Sequence, residues 1–255
     1  MARVELPNLV RLDLHGVNDY VEDLVARINA PLLTRIVISF FDDPQFDVSQ
    51  FDQFIGRVEN FKVLHQASVK LDGGGAPGPF ALFADPTDGT TLGFSISCPS
   101  TDSEWQLSSL EVLSNLSSSP FRLSSFERLE LWKRDAPLGY WDDVMQDTQW
   151  LEVFRPFTAV KDLDVYVEDE LAIPVARAFG QLTGKRAAEV LPALQNIFLK
   201  RDVFYFNGDI GDIEVFPHAD LLLEAVLQVM EPFIAARQLS GCPVAVQFVD
   251  IKHWK

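Results

Sequence analysis

Apolar residues recur along the chain in one short pattern, apolar-x-x-apolar-x-apolar. The copies start at Leu9, Leu33, Phe126, Val160 and Leu194, with a weaker copy at Phe61. Leu9 and Leu33 are 24 residues apart, and Phe126, Val160 and Leu194 follow one another at intervals of 34 residues. Because intervals of 20–50 residues are typical of repeat proteins, the chain is predicted to be built from repeats.

Two copies open with nearly the same phrase, "LPNLVRLDL" at 6–14 and "LPALQNIFL" at 191–199. The alternation that ends each copy predicts a short strand whose apolar residues share one face. Three buried apolar side chains contribute about 5–9 kcal/mol, whereas ordering about 25 residues of backbone costs about 25–50 kcal/mol. Since one copy cannot fold alone, we expect residues 9–14, 126–131 and 194–199 to lie in a common sheet.

Segments with apolar residues at helical spacing separate the predicted strands. They predict helices within residues 18–28, 49–58, 105–116, 150–155, 169–184 and 218–241. Gly184 is expected to cap the fifth helix, and Pro232 to kink or break the last one. A final strand is predicted at 243–249.

Alternating strands and helices predict an α/β fold with a largely parallel sheet and helices on its outer side. The expected architecture is an irregular leucine-rich-repeat-like solenoid, a horseshoe arc formed by one domain spanning residues 1–255. The Asn or Cys that usually follows such strands is absent. Residues 79–98 predict a two-stranded insertion, and the loops at 73–79 and 133–141 are candidate hinges.

The net charge of the chain indicates which classes of partner are expected. The 255-residue chain has 37 acidic and 21 basic residues, a formal charge of −16. Such a field repels phosphate backbones and anionic lipid, so neither nucleic acid nor membrane is an expected partner. No signal peptide or membrane-spanning run is visible. Cys98 and Cys242, both in apolar contexts, are expected to be buried thiols, and the predicted location is the cytoplasm or nucleus.

Motifs for catalysis, metals or cofactors are not found. "GQLTGKRA" at 180–187 departs from a phosphate-binding loop in spacing and follows a helix, so a helix end with a solvated basic turn is expected. "NGDIGDIE" at 207–214 lacks the spacing of a calcium loop. The four His residues are dispersed, and no Gly-x-Ser-x-Gly sequence occurs. We therefore assign no catalytic, cofactor-binding or metal-binding residue, and an enzyme assembled from distant acids and histidines stays an alternative.

The polar positions of the strands form columns on the face opposite the apolar residues. The first column holds Arg11, Arg35, Arg128, Asp162 and Asn196, the second Asp13, Val37, Glu130, Asp164 and Phe198, and the third His15, Ser39, Trp132, Tyr166 and Lys200. The last three residues of each column are the predicted protein-binding residues. We name these nine residues the strand-lined face. Outward aromatic and Arg residues are typical of binding hot spots. The alternative is that loops or the last helix cover the aromatic rings.

Longer phrases in one order along the chain carry a resemblance. They are "FDVSQFDQFIGR" (46–57), "DSEWQLSSLEVLSN" (102–115), "TQWLEVFRPFTAVKDLDV" (148–165), "EVLPALQNIFL" (189–199) and "FIAARQLSGCPVAV" (233–246). Together they resemble the C-terminal repeat region of F-box proteins from mushroom-forming fungi. The resemblance implies substrate recognition within a cullin ubiquitin ligase, in which an F-box docks a Skp-type adaptor.

No F-box is found in this chain, because "LPNL" and "LPAL" lack the acidic residue of the F-box phrase and run into strand patterns. Adaptor binding is therefore expected only if an F-box is supplied elsewhere. The sequence favours a non-catalytic scaffold that binds a protein across the strand-lined face. The alternatives are the enzyme above and an orphan repeat protein with no ligase link.

Overall fold

The chain has a mixed α/β fold. The computed structural model describes residues 3–16, 18–40, 49–61, 66–72, 79–84, 91–97, 125–134, 147–167, 172–205, 213–214 and 219–254. The candidate hinges lie largely outside these ranges, and so does the helix expected at 105–116.

A ten-stranded sheet organises the fold. Its strands are β2 (Arg11–Gly16), β4 (Arg35–Phe40), β5 (Gln66–Asp72), β6 (Pro79–Ala84), β7 (Thr91–Ser97), β8 (Arg128–Arg134), β9 (Asp162–Tyr166), β10 (Asn196–Tyr205), β11 (Ile213–Glu214) and β12 (Ala245–Trp254). The short strands β1 (Val4–Glu5) and β3 (Ile28–Asn29) pair separately. The strands predicted at 9–14, 126–131 and 194–199 correspond to β2, β8 and β10, which belong to this one sheet.

Pairing in the sheet is mostly parallel. Strands β8, β9, β10 and β12 are successive parallel neighbours, and β2 pairs in parallel with β4. Strand β11 adds a short antiparallel pair at the end of β10. Among the described residues the sheet is open, with β2 at one edge and β12 at the other.

The middle of the sheet departs from the predicted order. Strands β6 and β7 were expected to be an insertion added to the sheet, but they lie within it. The spatial order is β4-β7-β6-β5-β8, with antiparallel pairs β5–β6 and β6–β7. Strand β5 thus lies three strand positions away from β4, and β7 and β6 fill the two positions between them. Gln66 of β5 pairs with Arg128 of β8. Gln66 lies five residues after Phe61, whereas in the other copies the first strand residue lies two residues after the apolar residue that starts the pattern.

The phrase shared by the two ends of the chain forms a turn that leads into a strand. The amide of Leu9 donates to the carbonyl of Leu6, and the amide of Leu194 donates to that of Leu191. Pro7 and Pro192 take the second position of these turns, where the fixed dihedral of proline is favoured. The repeated phrase therefore encodes one local structure, a turn followed by a buried strand.

Carbonyls just before the strands join neighbouring copies. The Glu127 carbonyl accepts from the amides of Lys161 and Asp162, and the Lys161 carbonyl accepts from those of Gln195 and Asn196. These bonds fix the register in which the strands begin.

In the described part of the chain, five helices contribute to the core: α1 (Asn18–Arg27), α2 (Ser49–Ile55), α3 (Asp147–Phe154), α4 (Ala172–Gly180) and α5 (Ala219–Leu239). Short 3₁₀ turns cover Glu59–Phe61 and Gly184–Ala188. All five helices bury side chains in one cluster with the apolar strand residues, such as Leu129, Leu163 and Ile197. The strand-lined face is consequently on the side of the sheet opposite this cluster.

Stacked aromatic rings connect helices α3, α4 and α5. The ring centroids of Phe154 and Phe179 are 5.0 Å apart, and those of Phe179 and Phe233 are 4.8 Å apart. The backbones of α4 and α5 are also in close contact at Gly180. A Cβ added at Gly180 would lie 2.5 Å from the carbonyl oxygen of Val229. Glycine is therefore required where α4 crosses α5.

A buried arginine ties α5 to the turn before β10. Arg237 has no exposed surface and donates to the carbonyls of Ala187, Leu191 and Leu194, the last at 2.6 Å. Burial lowers the pKa of its guanidinium from the usual value. Arg237 thus fixes the segment from which β10 extends into the strand-lined face.

The predictions for Gly184 and Cys242 were wrong, and the break considered at Pro232 is not found. Helix α4 ends at Gly180, and Gly184 instead begins a 3₁₀ turn with a φ of 56°. Helix α5 continues through Pro232, so the chain does not leave the helix there. Cys242 is exposed, because the turn after α5 carries it away from the core. No described helix has the length and apolar character needed to cross a bilayer.

Candidate functional site

Strand register assembles the predicted columns. Arg128 pairs with Asp162, which pairs with Asn196, and Glu130 pairs with Asp164, which pairs with Phe198. In the third column Tyr166 pairs with Lys200. Three adjacent parallel strands therefore hold these eight residues side by side, about 4.8 Å apart between strands.

Trp132 is the ninth residue of the face. It belongs to β8 and pairs with Lys70 of β5. Its side chain lies outside the described part of the structure, so the predicted outward exposure of this ring stays a prediction.

Four charged side chains form the centre of the face. The Arg128 Nε and one terminal nitrogen donate to the Asp164 carboxylate at 2.8 and 3.1 Å. The Lys200 ammonium lies 2.9 Å from Asp164 and 2.8 Å from Glu130. Two carboxylates and two cations thus balance in charge.

Asp164 is the best covered member of this network. Its side chain has 0% exposure, whereas Arg128 is 39% exposed and Lys200 13% exposed. A buried carboxylate is tolerated only when cations and donors replace its water. Arg128 and Lys200 supply that replacement from the strands on either side.

Aromatic rings extend the network. The Arg128 guanidinium lies 5.5 Å from the centroid of the Phe198 ring, and the Lys200 ammonium lies 5.2 Å from that of Tyr166. Both distances suit cation–π contact. The Tyr166 hydroxyl also donates to Glu130 at 3.1 Å. Because Arg128 starts on β8 and reaches Phe198 on β10, it spans the intervening strand that carries Asp164.

A separate pair occupies the first column. The Asn196 amide donates to the Asp162 carboxylate at 2.8 Å, and both side chains are partly exposed. Next to it, Lys161 pairs with Glu127 at 2.7 Å. The sequence predicted that Asp162 and Asn196 share a column. It did not predict the hydrogen bond between them, because that bond depends on which strands are neighbours.

The N-terminal strands carry a smaller version of the pattern. Arg11 and Arg35 both approach Asp13 from β2 and β4. The hydrogen bond to Asp13 raises the pKa of Arg11. Strand β5 and the β6–β7 meander separate this group from the strand-lined face in the order of the sheet.

The described residues contain no metal site, and the residues of the strand-lined face do not line the depression found on α5. Within the described ranges, no three His, Cys, Asp or Glu side chains converge as a metal site would require. A shallow depression of about 630 Å³ lies along α5, at residues that the sequence analysis did not single out. The described part of the strand-lined face is therefore a layer of paired side chains.

Comparison of the chain with protein-family models, with curated proteins and with solved structures finds no match.

Proposed function

We propose that this chain is a non-catalytic scaffold that binds a partner protein across the strand-lined face. By its resemblance to fungal F-box proteins, it is a substrate-recognition region of an F-box-type ubiquitin ligase acting in the cytoplasm or nucleus. The finer fold in this proposal is a leucine-rich-repeat-like horseshoe arc, with the strand-lined face on its concave side. Docking of a Skp-type adaptor requires an F-box supplied elsewhere.

The observation that carries the proposal is the layer of eight face residues, in which six side chains form one network and Asp162 and Asn196 form a second pair. Hydrogen bonds, ion pairs and cation–π contacts hold these side chains in fixed positions on three parallel strands. A pre-ordered surface loses little side-chain entropy when a partner binds. Partly exposed Arg128, Tyr166 and Phe198 supply the residue types that dominate protein interfaces.

The same geometry favours binding over catalysis. Asp164 is fully buried and paired with two cations, and Glu130 is paired with Lys200. A carboxylate engaged in this way is not free to accept a substrate proton. The enzyme alternative has no comparable observation in its favour.

The test is quantitative affinity purification from native cell extract. The bait is the intact chain, compared with Trp132→Ala/Tyr166→Ala and Phe198→Ala variants that retain their thermal unfolding profile. Leu221→Ala/Leu239→Ala is a matched control, since both leucines are exposed on α5.

We expect specific partners to be lost from the face variants and kept by the control. Recovery of the same partners with every variant would disprove the proposed surface. Recovery of a Skp-type adaptor with this chain alone would contradict the interpretation that adaptor docking needs an additional F-box.

A further inference from the structure

Helix α5 carries a second surface, on the side of the sheet opposite the strand-lined face. Its side chains line the depression of about 630 Å³. We name this surface the α5 groove and define it by Glu224, Leu227, Gln228, Glu231, Ile234 and Gln238.

The groove repeats every seven residues. Glu224 and Glu231 are seven residues apart, and so are Leu227 and Ile234. Because seven residues make about two helical turns, each pair lies on one stripe of α5. Along this stripe each acid lies three residues before an apolar residue, so acidic and apolar side chains alternate on the exposed side of α5.

An apolar strip bordered by acids results. Leu227 and Ile234 pack against the core with one side and are only partly buried. Glu224 and Glu231 are exposed, and within the described residues neither is joined to a cation. Two Gln residues add hydrogen-bonding groups at the margin. The apolar strip has the composition of a helix-binding groove, and the acids set the sign of the charge that it selects.

We propose that the α5 groove binds a basic amphipathic helix of a partner protein. That helix places Lys or Arg at seven-residue spacing opposite Glu224 and Glu231, and Leu or Ile opposite Leu227 and Ile234. A second copy of this chain is disfavoured, because it would bring the same acids and a net charge of −16 against the first. The groove and the strand-lined face are on opposite sides of the sheet, so each is testable without the other.

The experiment measures binding of a synthetic helical peptide to the intact chain by calorimetry. The peptide has about three heptads, with Lys and Leu at the positions facing the groove. We expect Glu224→Lys/Glu231→Lys to weaken binding about tenfold, because two exposed ion pairs become two repulsions. A peptide with Glu in place of Lys should bind this variant better than the natural chain.

The matched control is Asp23→Lys/Glu152→Lys, which changes the net charge equally at exposed sites on α1 and α3. It should bind the basic peptide as the natural chain does. Equal weakening of peptide binding in both double variants would overturn the proposal. The overall negative charge of the chain would then explain the binding without the α5 groove. Absence of binding to the natural chain would also overturn it. So would a dimer, detected by sedimentation, that Glu224→Lys/Glu231→Lys dissolves.

Discussion

Replacing Asp164 by Asn should destabilise the protein far more than the same change at Asp162 on the same strand. Asp164 has 0% exposure and accepts two hydrogen bonds from Arg128, and the Lys200 ammonium lies 2.9 Å away. Hydrogen bonds to charged groups contribute about 1.5–3 kcal/mol each. Asn keeps one acceptor oxygen but loses the charge, so two of the three interactions are lost. Relief from burying a carboxylate offsets part of the loss, which leaves about 3 kcal/mol.

For a chain of this size, 1 kcal/mol corresponds to about 2–4 °C in Tm, so Asp164→Asn should lower Tm by about 6–12 °C. Asp162 accepts from the neutral Asn196 amide and is partly exposed, so Asp162→Asn should lower Tm by less than about 3 °C. Thermal and urea unfolding of both variants measure the difference. Free energies of unfolding within about 1 kcal/mol of each other would refute the view that the buried ion pairs hold the face together.

Three further changes test the packing that supports the face. Gly180→Ala should cost about 1–3 kcal/mol in urea unfolding, because the added methyl meets the Val229 carbonyl; exposed Thr183→Ala is the control and should stay within about 0.5 kcal/mol. Arg237→Met should cost about 3 kcal/mol, because the buried guanidinium no longer donates to the Ala187 and Leu194 carbonyls, and Arg237→Lys should recover part of it; equal loss in both would contradict this. Phe179→Leu should cost about 1–3 kcal/mol, since the ring stacks on two neighbours; a neutral result would show that the stack contributes nothing.

Local patterns predicted much of the fold because local physics determines those parts. The period-two alternation around Leu129, Leu163 and Ile197 identified strands and their buried face. The register of β8, β9 and β10 confirmed the shared columns of eight face residues, all except Trp132. Helical spacing located α1 to within a few residues. In each case the signal lies within about ten residues of sequence.

The parts that were missed depend on contacts between distant segments. The strand order β4-β7-β6-β5 depends on which strand edges meet. An apolar strand can pair with a parallel or an antiparallel neighbour, so its sequence does not decide that order. Arg237 is a basic residue near a helix end in sequence, a position usually solvated, and only the packing of α5 on the turn before β10 buries it. No local pattern distinguishes those outcomes.

The buried network also limits how the strand-lined face can bind. With Asp164 sealed beneath Arg128 and Lys200, a partner that tried to pair with Asp164 would first have to break existing ion pairs, at a cost of about 3–5 kcal/mol. If the face binds a partner as proposed, the binding energy must come from groups that are already partly exposed, chiefly the outer side of the Arg128 guanidinium and the Phe198 ring beneath it. Since the network holds these two groups in place, a change at Asp164 should weaken partner binding without touching the partner, whereas a change at Phe198 should weaken it with little effect on the ion pairs. On the proposed function, Asp164 is therefore the support of the face, and Arg128 and Phe198 are its contact residues.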